Sequence, residues 1–149
     1  MTNAQVKDMK RYLRSCRILR REERLLHMRL ADLERMIRLP ALHPEKVEPG
    51  SLEILAAQRR AELLDLTKRV LERCREIEGV IEQAEGEGED KTQLYRQILR
   101  LRYVDGLSFA EIAGRLNYHE RHVHRLHREG LAAAARTWKG GEGLGEHME

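Results

Sequence analysis

Residues 106–131 read GLSFAEIAGRLNYHERHVHRLHREGL, and the spacing of apolar and turn residues in this stretch decides the fold of the carboxy-terminal part. Asp105-Gly106 ends the helix before it. Ser108 with Glu111 three residues later is the pattern of a capping box. There the hydroxyl accepts from the backbone of the third helical residue, and the glutamate reaches back to the serine N–H. Phe109, Ile112, Ala113 and Leu116 recur at steps of three and four, so a short helix over 109–116 turns one apolar face inward. Asn117-Tyr118 makes a tight turn, and a further helix runs from about His119 to Ala135. Two short helices joined this closely predict a helix-turn-helix.

Upstream, a helix from about Thr92 to Val104 buries Leu94, Ile98, Leu101 and one of Tyr95 or Tyr103. Residues 91–136 therefore read as a three-helix domain. Its last helix sorts by angle. At about 100° per residue, Val123, Leu126 and Gly130 share one stripe, while Arg121, His124, Arg125 and Arg128 fall on the opposite side.

The run Leu101-Arg102-Tyr103-Val104-Asp105-Gly106-Leu107-Ser108, then Glu111-Ile112-Ala113, then Val123, Leu126 and Leu131, resembles region 4 of bacterial sigma factors. It looks most like the sigma-like helix-turn-helix of small phage and prophage proteins, including the ArpU/RinA-type activators of late transcription. The resemblance implies binding to promoter DNA, in some members with contact to RNA polymerase. The outward face of the second helix of such a motif enters the major groove, and the family's reading positions match Glu120, Arg121, His124 and Arg125. Arginine donates two hydrogen bonds to guanine, and histidine reaches base edges or phosphate. Arg115, Arg128 and Arg136 are placed for phosphates. His119 completes the DNA-binding set at the start of the helix, where relatives often carry a better-capping Ser or Thr.

The rest of the chain is built differently. Of 149 residues, 36% are charged and 4% aromatic, with only 3 prolines, a composition of long helices rather than of a sandwich or barrel. From about Asn3 to Leu39 apolar residues recur at steps of three and four: Met9, Tyr12, Cys16, Leu19, Leu26, Leu30, Leu33 and Ile37, with Glu23 breaking the series. Pro40, Pro44, Pro49 and Gly50 make a connector, and Ser51 is the expected N-cap of a second helix. That helix repeats the seam at Leu52, Ala56, Leu63, Leu66, Val70, Ile77, Val80 and Ala84, interrupted by Arg59 and Arg73. The interruptions are expected to snorkel at a loosely packed edge.

Charge is segregated: residues 1–39 are net basic, 40–90 net acidic and 91–136 net basic again. An antiparallel coiled-coil hairpin over 1–84 lets the first two blocks neutralise one another, and two helices alone bury so little that homo-oligomerisation through this segment, or packing on the third segment, is expected. The second basic block then has no internal partner, so an external anion is its natural one. Residues 85–90 read as an acidic Gly hinge, and 137–149 as a disordered tail.

The whole is expected to be all-α: a helical hairpin followed by a three-helix helix-turn-helix domain. No apolar run approaches a membrane span and no signal-peptide core opens the chain, so a cytoplasmic, host-cell location is expected. In that compartment Cys16 and Cys74 are expected as reduced thiols. Trp138 either caps the core or lies exposed. His119, His122, His124 and His127 scatter around their helix with no carboxylate or cysteine to complete a set, so no metal is expected. No cofactor and no catalytic constellation are expected either, which argues against an enzyme. The reading is a phage-type transcriptional regulator binding double-stranded DNA. The alternatives are a small terminase subunit, which forms a DNA-recognising ring, and a module that binds an acidic protein such as RNA polymerase.

Overall fold

The computed structural model describes residues 2–43 and 47–138; of the tail expected over 137–149, Thr137 ends the last helix and Trp138 is described, while 139–149 lie outside the described residues. Among the described residues every regular element is helical: α1 (Asn3–Arg38), a short 3-10 turn (Pro40–Leu42), α2 (Ser51–Glu82), α3 (Gly88–Tyr103), α4 (Phe109–Leu116) and α5 (Glu120–Thr137). The chain is all-α, as its composition demands. None of these helices is long and apolar enough to cross a membrane. Two compact units divide the chain, Ile18–Glu72 in one, and Met1–Arg17 with Arg73–Glu149 in the other.

In the Ile18–Glu72 unit, Leu30, Ala56 and Leu63 form a buried cluster covered by Leu26, Leu33 and Ile37. All six belong to the seams read from the sequence. Glu34 and Arg60 pair beside the cluster at 3.5 Å. Ser51 does not cap α2. The Gly50 carbonyl accepts the Ile54 N–H at 3.0 Å, which makes Gly50 (φ +81°) the capping position. Ser51 is one residue too late, and its hydroxyl donates back to the Glu48 carbonyl at 2.8 Å.

In the other unit, Met9, Leu13 and Cys16 of α1, Cys74, Ile77 and Ile81 of α2, and Ala84 just beyond it are buried. Tyr12 bonds Glu76, Ser15 bonds Arg73 and Cys16 bonds Cys74, so numbers rise along one helix as they fall along the other and the helices run antiparallel. Cys16 and Cys74 form a disulfide, correcting the expectation of reduced thiols. The two seams place their Cα atoms 5.5 Å apart, inside the range that a disulfide bridges. Fifty-eight residues of sequence separation hid that proximity. Arg73 is not a loose snorkel. Its guanidinium donates to Ser15 Oγ at 2.8 Å, lies 3.4 Å from Glu76 and stands 5.6 Å over the Tyr12 ring. Trp138, for which the sequence left two places open, stacks against Tyr12 at 5.0 Å between ring centroids.

The passage from α2 to α3 is tied down by hydrogen bonds. α3 begins at Gly88, ahead of the expected Thr92. The Thr92 hydroxyl accepts the Gly86 N–H at 2.9 Å, Arg96 donates to the Ala84 carbonyl at 3.0 Å, and Arg100 pairs with Glu82. Gly86 has to be glycine, because a Cβ there would stand 2.6 Å from the Tyr95 ring.

Candidate nucleic-acid interface

Local chemistry sets the helix-turn-helix. The Ser108 hydroxyl accepts the Glu111 N–H and the Glu111 carboxylate accepts the Ser108 N–H, both at 3.1 Å, so the capping box read from the sequence is present. The Ser108 backbone N–H first, and then its hydroxyl, hold the Glu111 carboxyl below the usual carboxylate range. At the far end of α4, Asn117 takes the left-handed conformation (φ 59°, ψ 44°), which asparagine tolerates better than most residues, and the Tyr118 N–H closes on the Ala113 carbonyl at 3.0 Å. α5 starts immediately afterwards, with His119 at the cap position making no side-chain capping bond.

Beneath these helices lie Tyr95, Ile98, Leu99, Leu101 and Tyr103 of α3, Ile112 and Ala113 of α4, and Val123, Leu126, Gly130 and Leu131 of α5. Both tyrosines are buried. Ile98 and Leu101 are buried in this core and Leu94 is half-buried. His127 is buried too. Its Nε2 lies 2.7 Å from the Tyr103 hydroxyl, and its ring meets the Phe109 ring edge-on at 4.9 Å. Burial first, then the positive charges of Lys10 and Arg102, push the imidazole down to about 3, so it is neutral. The sequence reading missed this residue as core. Its signal was available, since 123, 126, 127 and 130 follow the spacing of one helix face.

Arg121, His124, Arg125 and Arg128 come together with His119, Glu120 and His122 along one open groove on the outward face of α5. Arg121 and Arg125, one turn apart, are exposed. Arg125 is 2.7 Å from His122 Nδ1, and His124 lies 3.5 Å from Glu120. The His124 ring also packs 4.2 Å from the Phe109 ring, which Arg102 covers from 4.3 Å. Arg115 on α4 and Arg136 in the last turn of α5 are exposed but do not line this groove, and Arg136 stands by Tyr95. Among the described residues no group of three or more His, Cys, Asp or Glu is arranged to hold a metal ion.

This geometry has a counterpart among known families. Residues 92–133 match Sigma-70, region 4, so this segment is a sigma region 4-like helix-turn-helix, a DNA-binding fold. No curated protein and no solved structure matches the chain.

Proposed function

We propose that this protein is a sequence-specific transcriptional regulator of phage type, acting in the host cytoplasm on promoter DNA. The observation that carries the reading is the groove on α5, where Arg121, His124, Arg125 and Arg128 stand together opposite the buried Val123, Leu126 and Gly130. Arg121 and Arg125 read base edges in the major groove, Arg128 holds phosphate, and Arg115 and Arg136 contact the backbone at the edges. The resemblance of 101–131 to ArpU/RinA-type activators supports assignment to that group. Selection from a random duplex library tests this directly. A single consensus that is also protected in footprinting supports the reading, and the absence of any consensus refutes it.

The same reading has residues 1–84 pairing two or more copies. Its support is a second apolar stripe on α2, away from the seam that faces α1. Ile54, Leu64 and Leu71 are 63%, 59% and 61% exposed, and the exposed Ala57 and Ala61 complete heptad steps between them. Coupling two readers in this way raises the effective concentration of the second half-site. Sedimentation equilibrium of Leu64→Glu with Leu71→Glu tests it: a monomer is expected where the parent chain associates. A closed ring of eight or more copies would instead favour the small terminase alternative.

A further inference from the structure

Only part of the basic surface belongs to the segment that resembles sigma region 4. In α1, Lys7, Lys10, Arg14 and Arg17 recur at steps of three and four and so lie within about 80° of one another around the helix. All four fall in the Met1–Arg17 part of the unit that contains α3, α4 and α5. Lys7 and Lys10 line a cleft of about 400 Å³ with Phe109, His124 and Arg128. His124 and Arg128 also line the groove of α5, so the two concave surfaces share these two side chains as a common wall.

The electrostatics run against simple stability. Among the described residues none of these four cations has a carboxylate partner within ion-pair distance. Arg14 and Arg17 stand near the Arg102 guanidinium, and Lys7 and Lys10 share their cleft with Arg128. Burial and then the charges of Arg17 and Arg14 hold the Arg102 guanidinium below its ordinary range, and Lys10 adds to the depression at His127. A fold that stacks like charges on one surface is stabilised when an external polyanion covers it.

We infer that Lys7, Lys10, Arg14 and Arg17 form a phosphate-binding stripe that extends the DNA interface from α5 onto α1. The inference rests on the DNA-binding reading and deepens it. Ten residues of helix span about 15 Å. Duplex DNA offers a phosphate about every 3.4 Å along each strand, so the stripe meets several phosphates beside the base pairs that α5 reads. These contacts are indifferent to sequence. They set affinity, register and salt dependence, and leave specificity to Arg121 and Arg125.

The test is fluorescence anisotropy of the full chain on a labelled random-sequence duplex, between about 50 and 200 mM salt. The variants are Lys7→Gln with Lys10→Gln, Arg14→Gln with Arg17→Gln, and a control with the same charge change, Lys68→Gln with Arg69→Gln, exposed on α2 in the Ile18–Glu72 unit. Each stripe variant is expected to flatten the slope of log K against log salt by about 1–2, or about 0.9 for every phosphate that is no longer neutralised, with the control unchanged. Unaltered slopes in both stripe variants overturn the inference while leaving α5 as the DNA reader. An equal flattening in the control also overturns it, because net charge would then be the cause. If the parent chain binds poly-glutamate but no duplex, the DNA-binding reading fails and the stripe belongs to an acidic protein partner.

Discussion

The Tyr103 hydroxyl lies 2.7 Å from Nε2 of His127, and both side chains are buried beneath the helix that carries the outward arginines. A neutral imidazole in that place satisfies a phenol that has no water to turn to. A charged one would be desolvated among cations. The Tyr103 phenol is itself pushed up to about 12, chiefly by burial.

Stability should therefore fall in acid. An unfolded histidine titrates near 6.5, whereas His127 in the folded state titrates at about 3. Between those values the unfolded chain takes up a proton that the folded chain refuses. The stabilisation is complete above about pH 6.5 and is lost as pH falls towards 3, at up to about 1.4 kcal/mol per pH unit. Urea denaturation at pH 7 and pH 5 should show this drop in the parent chain and less of it in His127→Leu. At pH 7 that substitution costs about 1–3 kcal/mol, because it strands the Tyr103 hydroxyl. Adding Tyr103→Phe should recover part of the loss, and purely additive effects would argue against coupling.

The groove on α5 separates base contacts from phosphate contacts. On the selected duplex, Arg121→Ala and Arg125→Ala are each expected to weaken binding by about 1–3 kcal/mol and to relax specificity at one position. Arg128→Ala should weaken specific and random duplexes alike and reduce the salt slope by about 1. Anisotropy with circular dichroism as a folding control measures both, and wild-type binding by both Arg121→Ala and Arg125→Ala would remove α5 as the reader.

Two glycines make opposite predictions. Gly86→Ala drives a methyl into the Tyr95 ring, with 2.6 Å of room, and should destabilise by about 1–3 kcal/mol. Gly79 lies in α2 with nothing within 4 Å of a built Cβ, so Gly79→Ala should stabilise by about 0.5–1 kcal/mol through the loss of unfolded-state freedom. Thermal melts of the two variants should move in opposite directions.

The Cys16–Cys74 bridge closes a loop of 58 residues' separation, and a bridge of this kind contributes about 2–4 kcal/mol, largely by restricting the unfolded chain. Reductant should lower the melting temperature of the parent chain and leave that of a Cys16→Ser, Cys74→Ser variant where it is. Alkylation before and after reduction gives an independent check, since only the reduced chain should be labelled.

What one helix does by itself was legible in the sequence. The Ser108–Glu111 capping box, the turn at Asn117, the apolar seams of α1 and α2, and the separation of Arg121, His124, Arg125 and Arg128 from Val123, Leu126 and Gly130 depend on spacing along a single helix or on bonds between near neighbours. Short range makes such features readable, because the helix period converts sequence separation into direction. Tertiary structure alone decided the Cys16–Cys74 bridge, the Tyr103–His127 pair, the fit of Gly86 against Tyr95 and the meeting of Lys7 and Lys10 with His124 and Arg128. Each joins residues whose separation in space is set by how different helices pack, and the period of one helix carries no information about the face of another that it meets.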